Sequence, residues 1–333
     1  IMALKYLIDP HSPFTSGALR TVDLVLPGDT IVNPSPPHSC MFYWEPVLAV
    51  MNATFQAVNP ALGGHAIAPD SWGGTIHYAN GSLPDGTPWF SNAGGTTTPM
   101  GPWGATEVGD GDSSQVMILL NMFDSGCEPA EHDNPLVILR NDHLPDTAGA
   151  GKHRSGAASV TDSLWLAGGE HRVSTFHIRR PPGGGGVNGG RSGTLAGGWL
   201  WDADRTDAVR EPRFLPLSVR DELYAESQPL MGVLDPATKE LDPDGEYHFL
   251  LDPTPAAAGS ILRFICNGAG GWGDPLERNP NKVLEDVRDE YVTVEGAARD
   301  YGVVVLGDPQ HDPEGLAVDE AATAELRATG VRA

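Results

Sequence analysis

The spacing of apolar positions changes character along the chain. Between Pro46 and Val58 the apolar residues Val47, Val50, Met51 and Val58, with Thr54, recur at helical intervals. Pro46 suits a first helical position, and Asn59-Pro60 predicts the end of that helix. Earlier, Leu4, Leu7 and Ile8 share one helical face before Pro10, which reads as the last turns of a helix whose start is missing. That reading predicts a piece of a longer functional unit, with the rest on another polypeptide. Segment 21–26 (TVDLVL) is β-branched, apolar and closed by Pro27-Gly28-Asp29, the pattern of a strand entering a turn.

Further strands are predicted over 75–78, 116–121, 136–140, 249–251 and 261–266. Segments 164–167 and 172–178 predict a strand pair split by Gly168-Gly169. Segment 181–190 (PPGGGGVNGG) reads as a flexible loop. Helical spacing returns only near the end. Asn279-Pro280 caps and opens a helix whose face is Val283, Leu284, Val287 and Tyr291. Thr293 caps a second helix ending near Gly302. Segment 303–306 is extended, and a last helix over about 318–329 stops at Gly330. The fold class is α+β: strand-rich, with long Gly/Pro loops and C-terminal helices.

Composition supports a loop-rich chain that can still build a core. Hydrophobic residues are 40% of the 333, while 41 glycines and 29 prolines imply many turns. The net charge of −23 excludes nucleic acid as a main partner and disfavours an anionic membrane surface. The acidity is concentrated in residues 221–333, which carry −15 of it and read as a solvated outer face. Three scattered cysteines (Cys40, Cys127 and Cys266) give neither a zinc spacing nor a disulfide framework, so a cytoplasmic setting is expected. No apolar run reaches the ~18 residues of a membrane span.

No self-sufficient catalytic constellation stands out. The loop Asn267-Gly268-Ala269-Gly270-Gly271-Trp272-Gly273 lacks the Gly-Lys-Ser/Thr ending of a phosphate loop and reads as a tight turn with Trp272 packed over it. There is no His-Glu-x-x-His, and no Gly-x-Ser-x-Gly. His171 and His177 lie six strand positions apart, about 20 Å, too far to share an ion locally. Glu131-His132-Asp133 groups three ligand types, but strand alternation would send neighbours to opposite faces. Asp110-Gly111-Asp112 is a Gly-hinged acidic pair able to meet a cation or a basic partner. Phe42-Tyr43-Trp44 before Glu45, together with Trp103, are candidates for a pocket wall or a subunit interface.

Several long segments resemble the hydantoinase B/5-oxoprolinase family. The most specific runs from Gly268-Ala269-Gly270-Gly271-Trp272-Gly273-Asp274-Pro275-Leu276-Glu277-Arg278 through Val283-Leu284-Glu285-Asp286-Val287 to Asp300-Tyr301-Gly302-Val303. Residues 146–156 (DTAGAGKHRSG) are similar to the family's Asp-Ser-Gly-Gly-x-Gly-x-x-Arg-Gly-Gly. Residues 6–10 and 33–37 match its earlier part, and Asp110 and Asp112 match a Gly-Asp-Gly-Asp-like turn. The resemblance extends to about Leu306. It divides the chain into a strand-rich core over 1–275, lacking the family's N-terminal part, and a helical segment with an acidic tail over 276–333.

The resemblance implies a subunit working beside a hydantoinase A-like ATP-binding partner. That partner carries ATP and Mg and phosphorylates a carbonyl oxygen of a small substrate. It implies hydrolysis of cyclic amides such as hydantoins or 5-oxoproline. Alternatives are an acetone- or acetophenone-type ketone carboxylase subunit, and a non-catalytic scaffold of such a complex. The family's His/Asp metal-ligand region, for Zn or Mn, falls in the N-terminal part, so no metal ligand is assigned to this chain. A further chain carrying that region is an expected partner. Glu45, Asp110 and Asp112 are the candidate catalytic residues. The aromatic run Phe42-Tyr43-Trp44-Glu45 replaces an Asn-x-Glu-Thr-type stretch of the family and hints at a different or bulkier substrate.

Overall fold

The structure is a computed structural model describing residues 9, 11–13, 15–39, 44–71, 74–92, 100–113, 126–176, 185–206, 215, 217, 222–238, 240–249 and 252–330. The predicted N-terminal helix end over 1–8 and the strand over 116–121 lie outside these residues. Internal contacts divide the chain into two units, 1–65 and 66–333.

In the first unit a 3₁₀ turn (Ser16–Thr21) precedes helix α1 (Trp44–Leu62). Segment 22–26 is not the predicted strand. It is irregular, with Leu24 71% and Val25 80% exposed. β-Branched apolar residues make a strand only where a neighbouring strand completes the ladder, and none does so here among the described residues. Helix α1 also runs past the predicted stop, through Pro60 to Leu62. Pro60 sits in its last turn, where the proline's missing N–H removes only one terminal bond.

The second unit is built on two antiparallel sheets. Strands β1 (Gly74–Ser82) and β2 (Pro88–Asn92) are followed by the short helix α2 (Cys127–Asp133) and strands β3 (Leu136–His143), β4 (Ser159–Trp165), β5 (Gly169–Phe176), β6 (Gly197–Trp201), β7 (Gln228–Leu234), β8 (Glu246–Phe249), β9 (Thr254–Ala256) and β10 (Ile261–Ile265). One sheet has the order β2-β1-β5-β9 and the other β3-β4-β10-β6-β7-β8. The predicted pairing of 164–167 with 172–178 is therefore not observed among the described residues, since 164–165 and 172–176 belong to different sheets. The chain leaves the six-stranded sheet after Trp165 and enters the four-stranded one at Gly169. Helix α2 places Glu131, His132 and Asp133 on a helix instead of a strand, with His132 and Asp133 exposed and bonded to each other at 2.8 Å.

Alternation along β10 decides which face each residue joins. Leu262 and Phe264 meet Ala79, Trp165, Val173, Leu200, Met231 and Ala256 in the layer between the sheets. Ile261 and Ile265 join Val160, Trp199, Trp201 and Tyr224 on the other face. Between them, buried Arg263 grips Asp162 on β4 through two 2.6 Å bonds and donates to Tyr224 Oη at 2.7 Å. Such a pair holds register because neither charge can be left alone in the interior.

The sandwich layer also buries His77 of β1 and His171 of β5, with His77 Nε2 2.9 Å from His171 Nδ1. The Trp165 ring stands edge-on to His171 at 4.6 Å. Desolvation holds both rings neutral, His77 well below its ordinary range and His171 down at about 4. A histidine lowered in the native state contributes stability above the unfolded value near 6.5, lost as pH falls toward the native one. Acidification from pH 6.5 to 4 is therefore expected to remove about 3 kcal/mol through His171. Denaturant titrations across that range should register this loss, and His171→Gln should flatten it. An equal slope in the variant would remove the histidine from the account.

The C-terminal helices follow their sequence signals closely. Helix α3 (Pro280–Arg288) is capped by Asn279, whose side chain accepts from Asn281 N–H. Helix α4 (Val294–Tyr301) is capped by Thr293 and ends at Gly302, whose φ of 61° is left-handed. Helix α5 (Glu320–Thr329) starts two residues later than expected, because Val318 belongs to a two-residue strand, β12 (Ala317–Val318), paired with β11 (Val305–Leu306). Val283, Val287, Val292, Ala297, Tyr301 and Val303 form their core with Ala150.

Candidate functional site

Asp70 lies in segment 66–71, which backbone bonds fix on both sides. Ala68 N–H donates to Ala105 O, Ser71 N–H to Pro102 O and Gly270 N–H to Pro69 O, each at 3.1 Å. The Asp70 Oδ1 accepts from Gly104 N–H at 2.8 Å, and among the described residues Oδ2 has no donor. Gly104 is required for this approach, since a Cβ there would stand 2.7 Å from Ala68 C and 2.8 Å from Pro69 O. Burial pushes the half-buried carboxyl of Asp70 up to about 7, with the Gly104 bond opposing. A carboxyl poised near neutrality can take or give a proton, and such groups mark functional sites.

Around it, glycine-rich segments pack backbone against backbone. Arg191 N–H donates to Ala150 O (2.7 Å), Gly271 N–H to Arg191 O (2.9 Å), Gly268 N–H to Thr194 O (2.9 Å) and Ala105 N–H to Gly270 O (2.9 Å). At Gly149 a Cβ would lie 2.5 Å from Arg191 O and 2.6 Å from Gly271 N. The described part of the predicted flexible loop, 185–190, joins this layer. Val187 N–H donates to Gly271 O at 3.0 Å and Val187 O accepts from Gly273 N–H at 3.0 Å. Trp272 exchanges both backbone bonds with His153 (2.9 and 3.0 Å), so the 267–273 loop is a pinned turn.

One charged network locks the layer to the C-terminal helices. Arg278, 1% exposed at its side chain, donates to both Asp110 oxygens (2.7 and 2.8 Å) and to Asp286 Oδ2 through Nε (3.0 Å) and Nη2 (2.8 Å). Arg154 Nε donates to Asp286 Oδ1 at 2.7 Å, and its guanidinium sits 4.2 Å over the Tyr291 ring. Two carboxylates and two guanidinia thus neutralise each other. Burial draws the Asp110 carboxyl upward, but Arg278 and Arg154 outweigh it and hold it below its ordinary range. Asp110 is held as a carboxylate here, with both oxygens accepting from Arg278.

Of the predicted residues, Trp103 is the one placed beside a partner of Asp70 within the second unit. Trp103, 39% exposed, is next to Gly104, and its N–H donates to Asp112 O at 2.9 Å. The Asp112 side chain is exposed. Trp44 and Glu45 open α1 in the first unit, while Phe42 and Tyr43 lie outside the described residues. Asp70, Arg154, Arg278 and Asp286 are residues of this site that the sequence pattern does not mark as functional. The one available signal is the placing of Arg154 and Arg278 inside glycine-rich motifs.

The family model of hydantoinase B/oxoprolinase matches residues 1–275. The chain belongs to this family. Among similar proteins, uncharacterized protein MJ0963 of Methanocaldococcus jannaschii is 25% identical over 98% of this chain and 48% of its own length. The acetone carboxylase alpha subunit of Xanthobacter autotrophicus is 26% identical over 98% of this chain and 42% of its own. The ATP-dependent caprolactamase structure from Pseudomonas jessenii shares the fold, with a TM-score of 0.66 at 22% identity over 98% of this chain and 50% of that one. The chain spans about half the length of the curated relatives it matches. Among the described residues no three or more His, Cys, Asp or Glu are grouped to hold a metal ion, so the divalent metal implied by the family finds no fitting ligand set there. No helix among them is long and apolar enough to cross a membrane.

Proposed function

We propose that this hydantoinase B-type chain is a subunit of an ATP-dependent enzyme that hydrolyses cyclic amides, with Asp70 as the group that handles the proton of the attacking water. The observation that carries this reading is the Asp70 carboxyl, near neutral and with one oxygen unpartnered among the described residues. A base poised near the working pH is what water activation needs. Asp70 takes the water's proton and returns it to the ring nitrogen as the C–N bond breaks. ATP and Mg belong to a hydantoinase A-like partner, where they activate the carbonyl oxygen. The exposed run 22–32, with Leu24, Val25 and Ile31 71–82% exposed, supports an assembled state, because isolated chains seldom leave such patches bare.

The test is ATP turnover by the purified complex with hydantoins and lactams, against ATP with bicarbonate and a ketone. ADP formation coupled to ring opening is expected. The second reading, ketone carboxylation, draws on the similarity to the acetone carboxylase alpha subunit across 98% of this chain. Carboxylated product with bicarbonate and no ring opening would favour it. ATP turnover with neither substrate class would leave the scaffold role.

A further inference from the structure

We propose that Asn267 reads a ring N–H of the substrate: its side-chain oxygen accepts that hydrogen bond while its amide nitrogen holds Ser71 beside Asp70. This deepens, and rests on, the cyclic-amide reading. Asn267 follows β10 at the head of the glycine-rich 267–273 loop and is 1% exposed. Its Nδ2 donates to Ser71 O at 3.1 Å, which fixes the amide orientation, because a carbonyl oxygen needs a donor.

The other end of the side chain is the informative one. Asn267 Oδ1 is buried and, among the described residues, has no hydrogen-bond partner. Native proteins leave few such groups, and those that remain call for an explanation. This orphan lies where two segments are stitched together: Asn267 to Ser71, and Gly270 to Pro69, bracket Asp70 from either side. An amide oxygen accepts and cannot donate, and it carries no charge. It therefore matches a neutral N–H, the group that an unsubstituted hydantoin or lactam presents beside its carbonyl. A ring methylated at that nitrogen lacks the donor and adds bulk.

The experiment compares hydantoin with its 1-methyl and 3-methyl derivatives in the purified complex, measuring kcat and KM of ATP-dependent ring opening. One methyl isomer is expected to show KM raised about tenfold or more. Asn267→Ala should abolish that discrimination and also lower kcat, since Ser71 loses its donor. Asn267→Asp keeps an acceptor oxygen and should retain the discrimination, while its kcat falls as in Asn267→Ala because it too gives Ser71 O no amide donor. Equal use of all three rings by the wild type overturns the proposal without any variant, as does undiminished discrimination in Asn267→Ala. A complex that opens no cyclic amide removes the functional reading. Calorimetric binding of the same three rings to the full chain then decides the inference separately, and equal or absent binding overturns it.

Discussion

Asp70→Asn is expected to lower kcat for ring opening by about 10²–10⁴-fold, the usual worth of a positioned proton-transfer group. The substitution keeps shape and keeps an oxygen for the Gly104 N–H, so assembly should persist. The wild-type rate should rise with pH through about 7 as the base form appears, and the variant should lose that limb. Stability moves the opposite way. A carboxyl raised in the native state contributes stability that is full below the unfolded value near 4 and is lost as pH rises through about 7. The variant has no such loss, so at pH 8 it should melt above the wild type. A variant that is fully active, or that loses activity while melting well below the wild type at pH 8, would remove Asp70 from this role.

Arg278→Ala is expected to destabilise the chain by about 3–5 kcal/mol, the range for breaking a buried ion pair by removing one partner. That is a large share of the ~5–15 kcal/mol that holds a typical domain together. The substitution strips Asp110 of both guanidinium bonds and leaves Asp286 with Arg154 alone. Arg278→Lys should rescue little, because an ammonium cannot reproduce the forked contacts to two carboxylates. Guanidinium denaturation read by tryptophan fluorescence measures both. A loss below about 1 kcal/mol would mean that the network behaves as an exposed ion pair does. Arg327 Nη2 also donates to Arg278 O at 2.7 Å, so the effect should reach α5.

The sequence was legible where the physics is local. Asn279, Thr293, Gly302 and Gly330 fall at helix ends as expected, since a cap needs only its own first or last turn. Strand segments were found over 75–78, 136–140 and 261–266, but their partners were not. Residues 164–165 and 172–176 are near neighbours in the chain and members of different sheets. Segment 22–26 has a strand's composition and no ladder to join.

The site was less legible than the fold. Asp110 could be picked from its Gly-Asp-Gly-Asp setting, yet its role depends on Arg278, 168 positions away. Asp70 sits in no motif. Its carboxyl is raised by burial and aimed by Gly104, 34 positions on, and neither fact has a local signature. Asn267 stood inside a recognised glycine run, but an unpartnered oxygen is invisible until the packing around it is known.

The position of β10 sets a schedule for synthesis. It fills the slot between β4 and β6, and its Arg263 meets Asp162 from 101 positions further along. A ribosome adding about 5–20 residues per second needs roughly 3–12 s to travel from the end of β6 to the start of β10. During that interval the nascent chain holds two strand edges with nothing between them, and an aspartate awaiting its arginine. Chaperone demand should therefore rise over that interval, and chains truncated between residues 201 and 261 should be less soluble than the full chain.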